Sequence, residues 1–302
     1  ITTVAVLAAT VSASATTVCE NGTVNLTASP AGQATYTFRL GGVIQQTGAS
    51  RTFTSAALVT TTLYTVEVVN ALGCGSTTSI TISVPKLALA GAISATAADL
   101  VLCPGDTLSA NIDGDGTLAG GAVATLVGGS SGSIGYQWQI SYDNGGSYQD
   151  IVGATTADLT PVQLGTISQT VNIHRLAYVL NDGVECSETP SNAIRIELDD
   201  TRNLSITSST GGFSFCENTP VTFTAVGAVN GDTYEWEILS GGTTTTSTGT
   251  VAGATTTDTT IVANGSVKLT ITTAGGCSYE VTEAITTVAV LAATVSASAT
   301  TV

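Results

Sequence analysis

The chain has 302 residues and a formal net charge of −15, from 22 acidic and 7 basic side chains, and only 5% of its residues are aromatic. This length allows two or three domains. The negative charge argues against nucleic acid or an anionic membrane surface as a partner. Small and β-branched residues dominate, Met is absent, and no stretch repeats apolar residues at the helical period, so the sequence predicts an all-β protein.

The two ends of the chain carry the same 18-residue segment. Residues 1–18, ITTVAVLAATVSASATTV, recur without a change as residues 285–302, so position 285 repeats position 1 after 284 residues. We interpret the chain as one period of a longer tandem array, and as an internal piece of a larger precursor because neither an initiator Met nor a signal peptide begins it. The repeated segment is interrupted by Thr and Ser and is too short to cross a bilayer as a helix, so no membrane insertion is expected.

Between these ends, three copies of one strand pattern follow each other. Each copy opens with an apolar strand, a cysteine, a turn and a second strand, and it ends with an alternating strand, a Gly-containing turn and a second cysteine. Six cysteines in three similar settings favour disulfides and an oxidising, extracytoplasmic location. The opening cysteines are Cys19, Cys103 and Cys216, and the closing cysteines are Cys74, Cys186 and Cys277.

A short strand with an aromatic residue at its middle lies between the two cysteines of each copy. Its sequence is YTFRL in the first copy, YQWQI in the second and YEWEI in the third. Strand alternation places Phe38, Trp138 and Trp236 on one face, together with apolar neighbours two residues away. We therefore expect these three side chains at equivalent places in three cores.

The order of these elements resembles that of immunoglobulin-like (Ig-like) and PKD-like modules. It looks closest to the arrays in very large surface proteins of Bacteroidota, including the repetitive gliding adhesins of flavobacteria, and residues 136–161 are the most family-like stretch. The resemblance implies three tandem β-sandwiches in an elongated row, export by the type IX route, and a place in adhesion, gliding motility or surface filaments. Two features depart from it: Phe38 stands where Trp is usual, and the second module carries a long Gly-rich insertion around residues 113–133.

The module boundaries follow from the closing strands. The third module is expected to close with a strand that includes Ile285, Val288 and Val290. The predicted divisions are residues 1–7 as the closing strand of a preceding unit, residues 8–85, 86–200 and 201–291 as modules one to three, and residues 292–302 as the first strand of the next unit.

The cysteine partners depend on where each cysteine lies in its sandwich. With standard topology, the opening cysteine lies before strand B and the closing cysteine lies at the F–G turn, about 20 Å away at the other end. A disulfide requires Cα atoms within about 7 Å. In a head-to-tail row, the opening-cysteine end of one module faces the closing-cysteine end of another, which favours bonds between modules. Three bonds inside the modules are the alternative. Bonds between modules join Cys19 with Cys186, Cys103 with Cys277, and Cys216 with the next unit's equivalent of Cys74.

The chain shows no arrangement of catalytic residues, so we expect neither enzyme activity nor a cofactor. His174 is the only histidine, it falls in a predicted strand, and no GxSxG-like elbow accompanies it. A transition-metal cluster is not expected without a second histidine or free cysteines.

Calcium is the one metal that the sequence leaves open. Asn111, Asp113 and Asp115 match the first half of a calcium-binding loop, but Ala122 stands where a bidentate Glu is required. Asp199 and Asp200, at the boundary of the second and third modules, are further calcium candidates. Solvated turn carboxylates with no bound ion are the alternative for all of these residues.

Two short segments resemble Bacteroidota O-glycosylation signals, in which Asp-Thr is followed by an aliphatic residue or Thr. They are Asp-Thr-Leu and Asp-Thr-Thr, with Thr107 and Thr259 as the residues to be modified.

Three functions fit these observations. The first is a structural segment of an extracellular cell-surface filament or stalk adhesin, serving attachment or gliding, whose partners are neighbouring copies of the same repeat end to end. The second is an array of modules that themselves bind glycans, such as surface polysaccharide, or other surfaces. The third is a pilus-like subunit assembled by donor-strand addition. The scarcity of aromatic residues favours the structural role.

Overall fold

The structure is a computed structural model in which strands dominate. The only helices among the described residues are the one-turn α1 (Pro161–Leu164) and a 3₁₀ turn at Ala97–Asp99. The prediction of an all-β fold is confirmed. Neither of these helices has the length needed to cross a membrane. The described residues are 7–128, 130, 132–181 and 183–289.

The chain forms two compact units. The first contains the residues up to Leu100 together with Thr107–Glu197, which include most of the first two predicted modules. The second contains Val101–Asp106 together with the residues from Leu198 onward, which include the third predicted module.

The first module is a sandwich of two antiparallel sheets. Its strands are β1 (Thr10–Ala13), β2 (Asn25–Ser29), β3 (Thr35–Leu40), β4 (Val43–Gly48), β5 (Thr52–Thr54), β6 (Thr62–Val69) and β7 (Gly75–Ile82). One sheet has the order β1-β2-β5 and the other β4-β3-β6-β7. Inward residues at alternate positions, among them Leu26, Phe38 and Val66, are completely buried and form the core.

The start of the first module differs from the predicted boundary. Leu7 is half-buried and packs against the core of this module. The backbone N–H of Ala9 donates to Ser76 Oγ on β7, at 3.2 Å. The expectation that residue 7 belongs to a preceding unit is therefore corrected, because Leu7, Ala9 and Val11 continue one alternation into the same core. The remainder of that segment, residues 1–6, lies outside the described residues.

The second module has one large sheet and little regular structure opposite it. Its strands are β8 (Leu87–Leu89), β9 (Val101–Leu102), β10 (Thr125–Leu126), β11 (Ser133–Ser141), β12 (Gln149–Asp150), β13 (Val171–Asn181), β14 (Val184–Pro190) and β15 (Ile194–Leu198). The large sheet runs β12-β11-β13-β15, with β14 also paired to β13. Opposite it, the described residues form the short β8–β10 pair and the isolated bridges Ala92–Ala122, Ser94–Asp113 and Ile112–Leu159. The Gly-rich insertion supplies one side of two of these bridges.

The third module is a sandwich with longer strands. They are β16 (Ser205–Ser208), β17 (Ser214–Cys216), β18 (Thr219–Val226), β19 (Thr233–Ser240), β20 (Thr243–Thr250), β21 (Thr256–Ile261), β22 (Gly265–Thr272) and β23 (Ser278–Val288). The sheets run β16-β18-β21 and β17-β23-β22-β19-β20. The last strand, β23, includes Ile285 and Val288 of the expected closing strand. Val290 and the predicted next-unit strand, residues 292–302, lie outside the described residues.

The three modules share the placement of one aromatic strand. β3, β11 and β19 each pair with the strand that follows them on one side and with β6, β13 or β22 on the other. Phe38, Trp138 and Trp236 lie on these strands, and each is 0% exposed. Strand alternation in the sequence and the structure thus both place these three aromatic side chains on the inward face of their strands.

An ion pair near the start of the third module makes its stability depend on pH. Arg202 Nε and Nη2 donate to the two carboxylate oxygens of Asp232, at 2.9 and 3.1 Å, and Val229 N also donates to Asp232. The hydrogen bonds from Arg202 lower the pKa of Asp232 and outweigh burial, which acts in the opposite direction. The folded state therefore gains stability above the unfolded-state pKa, and it loses this stability as pH falls through the lower folded-state pKa.

We expect Asp232→Asn to flatten the acid limb of the third module's stability profile. Urea unfolding between pH 2.5 and 6, followed by Trp236 fluorescence in a Trp138→Phe background, measures this. Glu217→Gln, which removes an exposed carboxylate from the same module, is the control and is expected to keep the wild-type slope. An unchanged slope in Asp232→Asn contradicts the assignment.

Candidate functional site

A buried arginine lies at the centre of the second module. Along β13 buried and outward residues alternate, and Arg175 falls in the buried phase between Ile173 and Ala177. It is 0% exposed, which is rare for arginine. Arg175 also lies directly opposite Trp138 in the β11–β13 register, so both side chains share the inner face. The burial of Arg175 is not among the sequence predictions, although the strand alternation that points Trp138 inward also points Arg175 inward.

The guanidinium of Arg175 binds backbone from four separate segments. Its carbon atom lies 4.2 Å from the ring centre of Tyr136, a cation–π contact. A Cβ atom at position 114 would lie 2.1 Å from Arg175 Nη1, so this approach requires Gly114. Arg175 therefore holds the irregular half of the module where a second full sheet would otherwise pack. Nη1 donates to the carbonyl oxygens of Gly114 and Ala157, both at 2.7 Å, and Nη2 donates to those of Ala122 (3.3 Å) and Ala90 (3.4 Å).

Three carboxylates lie together beside this arginine, and we call them the acidic cluster: Asp113, Asp115 and Asp158. One ligand oxygen from each lies within 4.8 Å of the others. Asp113 is buried, Asp158 is half-buried and Asp115 is exposed. Burial alone would raise the pKa of Asp113, but hydrogen bonds, the strongest of them from Thr117, lower it overall. The cluster offers only oxygen ligands, which suit a hard cation.

The acidic cluster only partly coincides with the calcium candidates from the sequence. Asp113 and Asp115 belong to it, whereas Asn111 is exposed and outside it. Asp158 was missed because no local spacing connects it to the loop; the Ile112–Leu159 bridge brings it there.

Asp199 and Asp200 lie in the second unit and make other contacts. The carboxylate of Asp199 accepts hydrogen bonds from Thr273 Oγ1 and Asp200 N, and the carbonyl of Asp200 accepts one from Tyr279. No third metal-binding side chain joins them in the part of the chain that the structure describes.

Four cysteines form two disulfides. Cys19 is bonded to Cys186 and Cys103 to Cys277, with Cα–Cα distances of 5.1 and 5.5 Å. These are the two pairs within this chain that the between-module arrangement predicts, and the within-module alternative does not apply to them. Cys74 and Cys216 are free and exposed. The pairing of Cys216 with the next unit's equivalent of Cys74 stays a prediction.

The remaining predicted residues lie on strands or turns. His174 is on the outer face of β13, where its ring stacks on that of Tyr148 with 3.7 Å between the ring centres. Its Nε2 lies 2.8 Å from Gln139 Oε1. Burial lowers the pKa of His174. Thr107 is exposed and Thr259 is half-buried on β21. Glycosylation of these threonines stays a prediction.

Two parts of the chain match family models. Residues 7–85 match the family described as Ig-like domain CHU_C associated. Residues 108–200 match a domain of unknown function, DUF8696. A sequence search among curated proteins finds no match.

Several solved structures resemble the chain at low identity. The fibronectin(III)-like modules of Clostridium thermocellum CbhA show 13% identity and a TM-score of 0.31, covering 63% of this chain and 94% of that one. An adhesin of an Antarctic bacterium, described as Ca²⁺-stabilised and as helping the bacterium to bind ice, shows 16% identity and a TM-score of 0.41, covering 95% of this chain and 75% of that one. Murine CEACAM1b shows 12% identity and a TM-score of 0.31, covering 64% of this chain and 100% of that one.

Proposed function

We propose that this chain is a structural repeat of an extracellular cell-surface filament or stalk, in which Ig-like modules are linked end to end by disulfides. The observation that carries the proposal is the cysteine pairing. In both bonds, the opening cysteine of one sequence copy pairs with the closing cysteine of the next copy. Applied once more, this rule pairs Cys216 with the closing cysteine of a copy that follows the third.

The repeated ends of the chain support the proposal of such a following copy. Residues 285–302 repeat residues 1–18, and residue 18 is followed directly by Cys19. A next unit in the same phase therefore contains equivalents of Cys19 and Cys74. The exposure of Cys74 and Cys216 leaves both thiols accessible to neighbouring units. We propose neighbouring copies of the repeat as the partners, with no enzyme activity and no organic cofactor.

The surface location and the role in attachment or gliding rest on other features. Disulfides are stable in oxidising, extracytoplasmic surroundings. The family match of residues 7–85 supports the Ig-like part of the resemblance to Bacteroidota surface arrays, and we propose export by the type IX route on that resemblance. Burial of both tryptophans favours a structural role over glycan binding, because stacking on a sugar needs an exposed aromatic face.

Disulfide mapping of the protein isolated from the cell surface tests the proposal. We expect a peptide that contains Cys216 to be bonded to the peptide that contains the Cys74 equivalent. A Cys74→Ser, Cys216→Ser protein, in which Cys19–Cys186 and Cys103–Cys277 remain, is the matched control and should lack this species only. Free thiols at both positions in the isolated wild-type protein contradict the proposal.

Electrophoresis under reducing, denaturing conditions separates the two modes of assembly. A band many periods long supports a tandem array in one polypeptide. A band near 30.1 kDa, the mass of this chain, supports separate subunits joined by donor-strand addition.

A further inference from the structure

The charges of the acidic cluster do not balance. Three carboxylates face one guanidinium, so the group carries a net charge of −2 when all members are ionised. The hydrogen bonds of Arg175 end on four backbone carbonyls and not on the carboxylates. Since Asp113 is only 2% exposed, water screens its charge poorly. A cation bound at this place would offset that charge.

One buried oxygen of the cluster has no partner. Asp113 Oδ1 accepts hydrogen bonds from the backbone N–H of Thr117 (3.1 Å) and from its hydroxyl (2.9 Å). Among the described residues, Asp113 Oδ2 is fully buried and has no hydrogen-bond partner, and the same holds for Ser94 Oγ on the residue bridged to Asp113. Buried polar atoms in native proteins are nearly always paired, so an orphaned carboxylate oxygen indicates a missing ligand.

The other two carboxylates keep an oxygen for the same ligand. Asp115 Oδ1 accepts a hydrogen bond from Thr117 N at 3.0 Å, and Asp158 Oδ1 accepts one from Gly114 N at 2.9 Å. Each of these bonds fixes a carboxylate through one of its two oxygens. A Cβ atom at position 121 would lie 1.6 Å from Asp113 Oδ2, so only glycine at this position lets that oxygen lie so close to the backbone.

The spacing of the oxygens suits calcium. Ca²⁺ binds oxygen ligands at about 2.3–2.6 Å, so ligands on opposite sides of the ion lie roughly 4.8 Å apart. The three ligand oxygens all lie within 4.8 Å of one another. Carboxylate oxygens without nitrogen or sulfur donors favour Ca²⁺ over Zn²⁺, and the exposed position of Asp115 leaves room for the waters that complete its coordination.

We propose that the second module binds one Ca²⁺ ion through Asp113, Asp115 and Asp158. The ion joins the Gly-rich insertion to the segment before Leu159, two stretches that the described structure connects through the Arg175 hydrogen bonds, the Gly114–Asp158 hydrogen bond and the Ile112–Leu159 bridge. Calcium thus stabilises the irregular half of the module. This inference concerns the second module alone and does not depend on assembly into a filament.

Calcium titration of the EDTA-treated 302-residue chain tests the proposal. Isothermal calorimetry should show one Ca²⁺ per chain, and Ca²⁺ should raise the Tm of the second module. Asp115→Asn and Asp158→Asn should each weaken binding at least tenfold. Asp115 is exposed, so its variant removes a ligand with little risk to folding. Asp150→Asn is the matched control, because it removes an exposed charge from the same module outside the cluster.

Three results overturn the proposal. The first is the absence of both heat and a Tm shift in the wild-type chain up to about 10 mM Ca²⁺, above the range of weak extracellular sites; Arg175 alone then compensates the cluster. The second is binding that survives unchanged in both variants, which places the ion elsewhere. The third is equal affinity for Mg²⁺, which contradicts the assignment to calcium.

Discussion

Replacing Arg175 with methionine is expected to destabilise the second module by about 3–5 kcal/mol, the usual cost of removing one partner from a buried charged network. Methionine has a similar length but no donor, so the carbonyls of Gly114, Ala157, Ala122 and Ala90 lose their bonds to this side chain. Each buried carbonyl left without a partner costs roughly 1–3 kcal/mol. Urea unfolding monitored by Trp138 fluorescence, in a Trp236→Phe background, measures the effect.

Arg195→Met is the matched control for this substitution. Arg195 is on β15 of the same module, its side chain is 50% exposed, and its partner is Glu197 at the surface. Such exposed ion pairs contribute about 0–1 kcal/mol. Equal destabilisation by the two substitutions would show that Arg175 has no special role in packing. The destabilisation by Arg175→Lys is expected to fall between those of Arg175→Met and Arg195→Met, because one ammonium group cannot replace a guanidinium that binds four carbonyls.

Removing the Cys103–Cys277 bond is the second change with a large expected effect. The bonded residues are 174 apart in sequence, and a loop of this length gives about 5 kcal/mol in the chain-entropy model of disulfide stabilisation. The Cys103→Ala, Cys277→Ala variant should therefore unfold at markedly lower urea concentration, as followed by Trp236 fluorescence in a Trp138→Phe background. Alanine is chosen because Cys277 is 1% exposed and a serine hydroxyl there would add a desolvation cost.

Cys74→Ala provides the control for the cysteine substitutions. Cys74 is exposed and free in this chain, so its replacement should leave the urea midpoint unchanged. Reduction of the wild-type protein breaks both disulfides. Its stability should therefore fall below that of the double variant, by the contribution of Cys19–Cys186. A double variant as stable as the wild type would mean that its unfolded state is already compact without the bond.

The sequence predicts the features of this fold that repeat. Alternation identifies the aromatic strands and the burial of Phe38, Trp138 and Trp236, because a strand side chain points inward or outward by position alone. The same strand order favours the two cysteine pairs over bonds inside the modules, the alternative that the sequence leaves open, since two ends of a sandwich lie too far apart for a disulfide. Three diverged copies make each such pattern visible three times.

The Arg175 network and the acidic cluster depend on register between distant segments. The carbonyls of Ala90, Gly114, Ala122 and Ala157 are chemically like any others, so no residue type marks them as ligands of a guanidinium. Asp158 meets the calcium-like loop only through a bridge formed by a neighbouring residue. The insertion is visible in the sequence as a Gly-rich stretch, but its role follows only from what it contacts.

The order of the bonded cysteines along the chain determines how it responds to a pulling force. Cys19–Cys186 and Cys103–Cys277 interleave: Cys103 lies within the loop that the first bond closes, and Cys186 lies within the loop that the second bond closes. While the first bond is intact, tension passes across it, and the 167-residue span cannot straighten to its full contour length of about 550–600 Å. A reducing agent would release that hidden length, so the extensibility of the molecule is set by the redox state of its surroundings as well as by the stability of its modules.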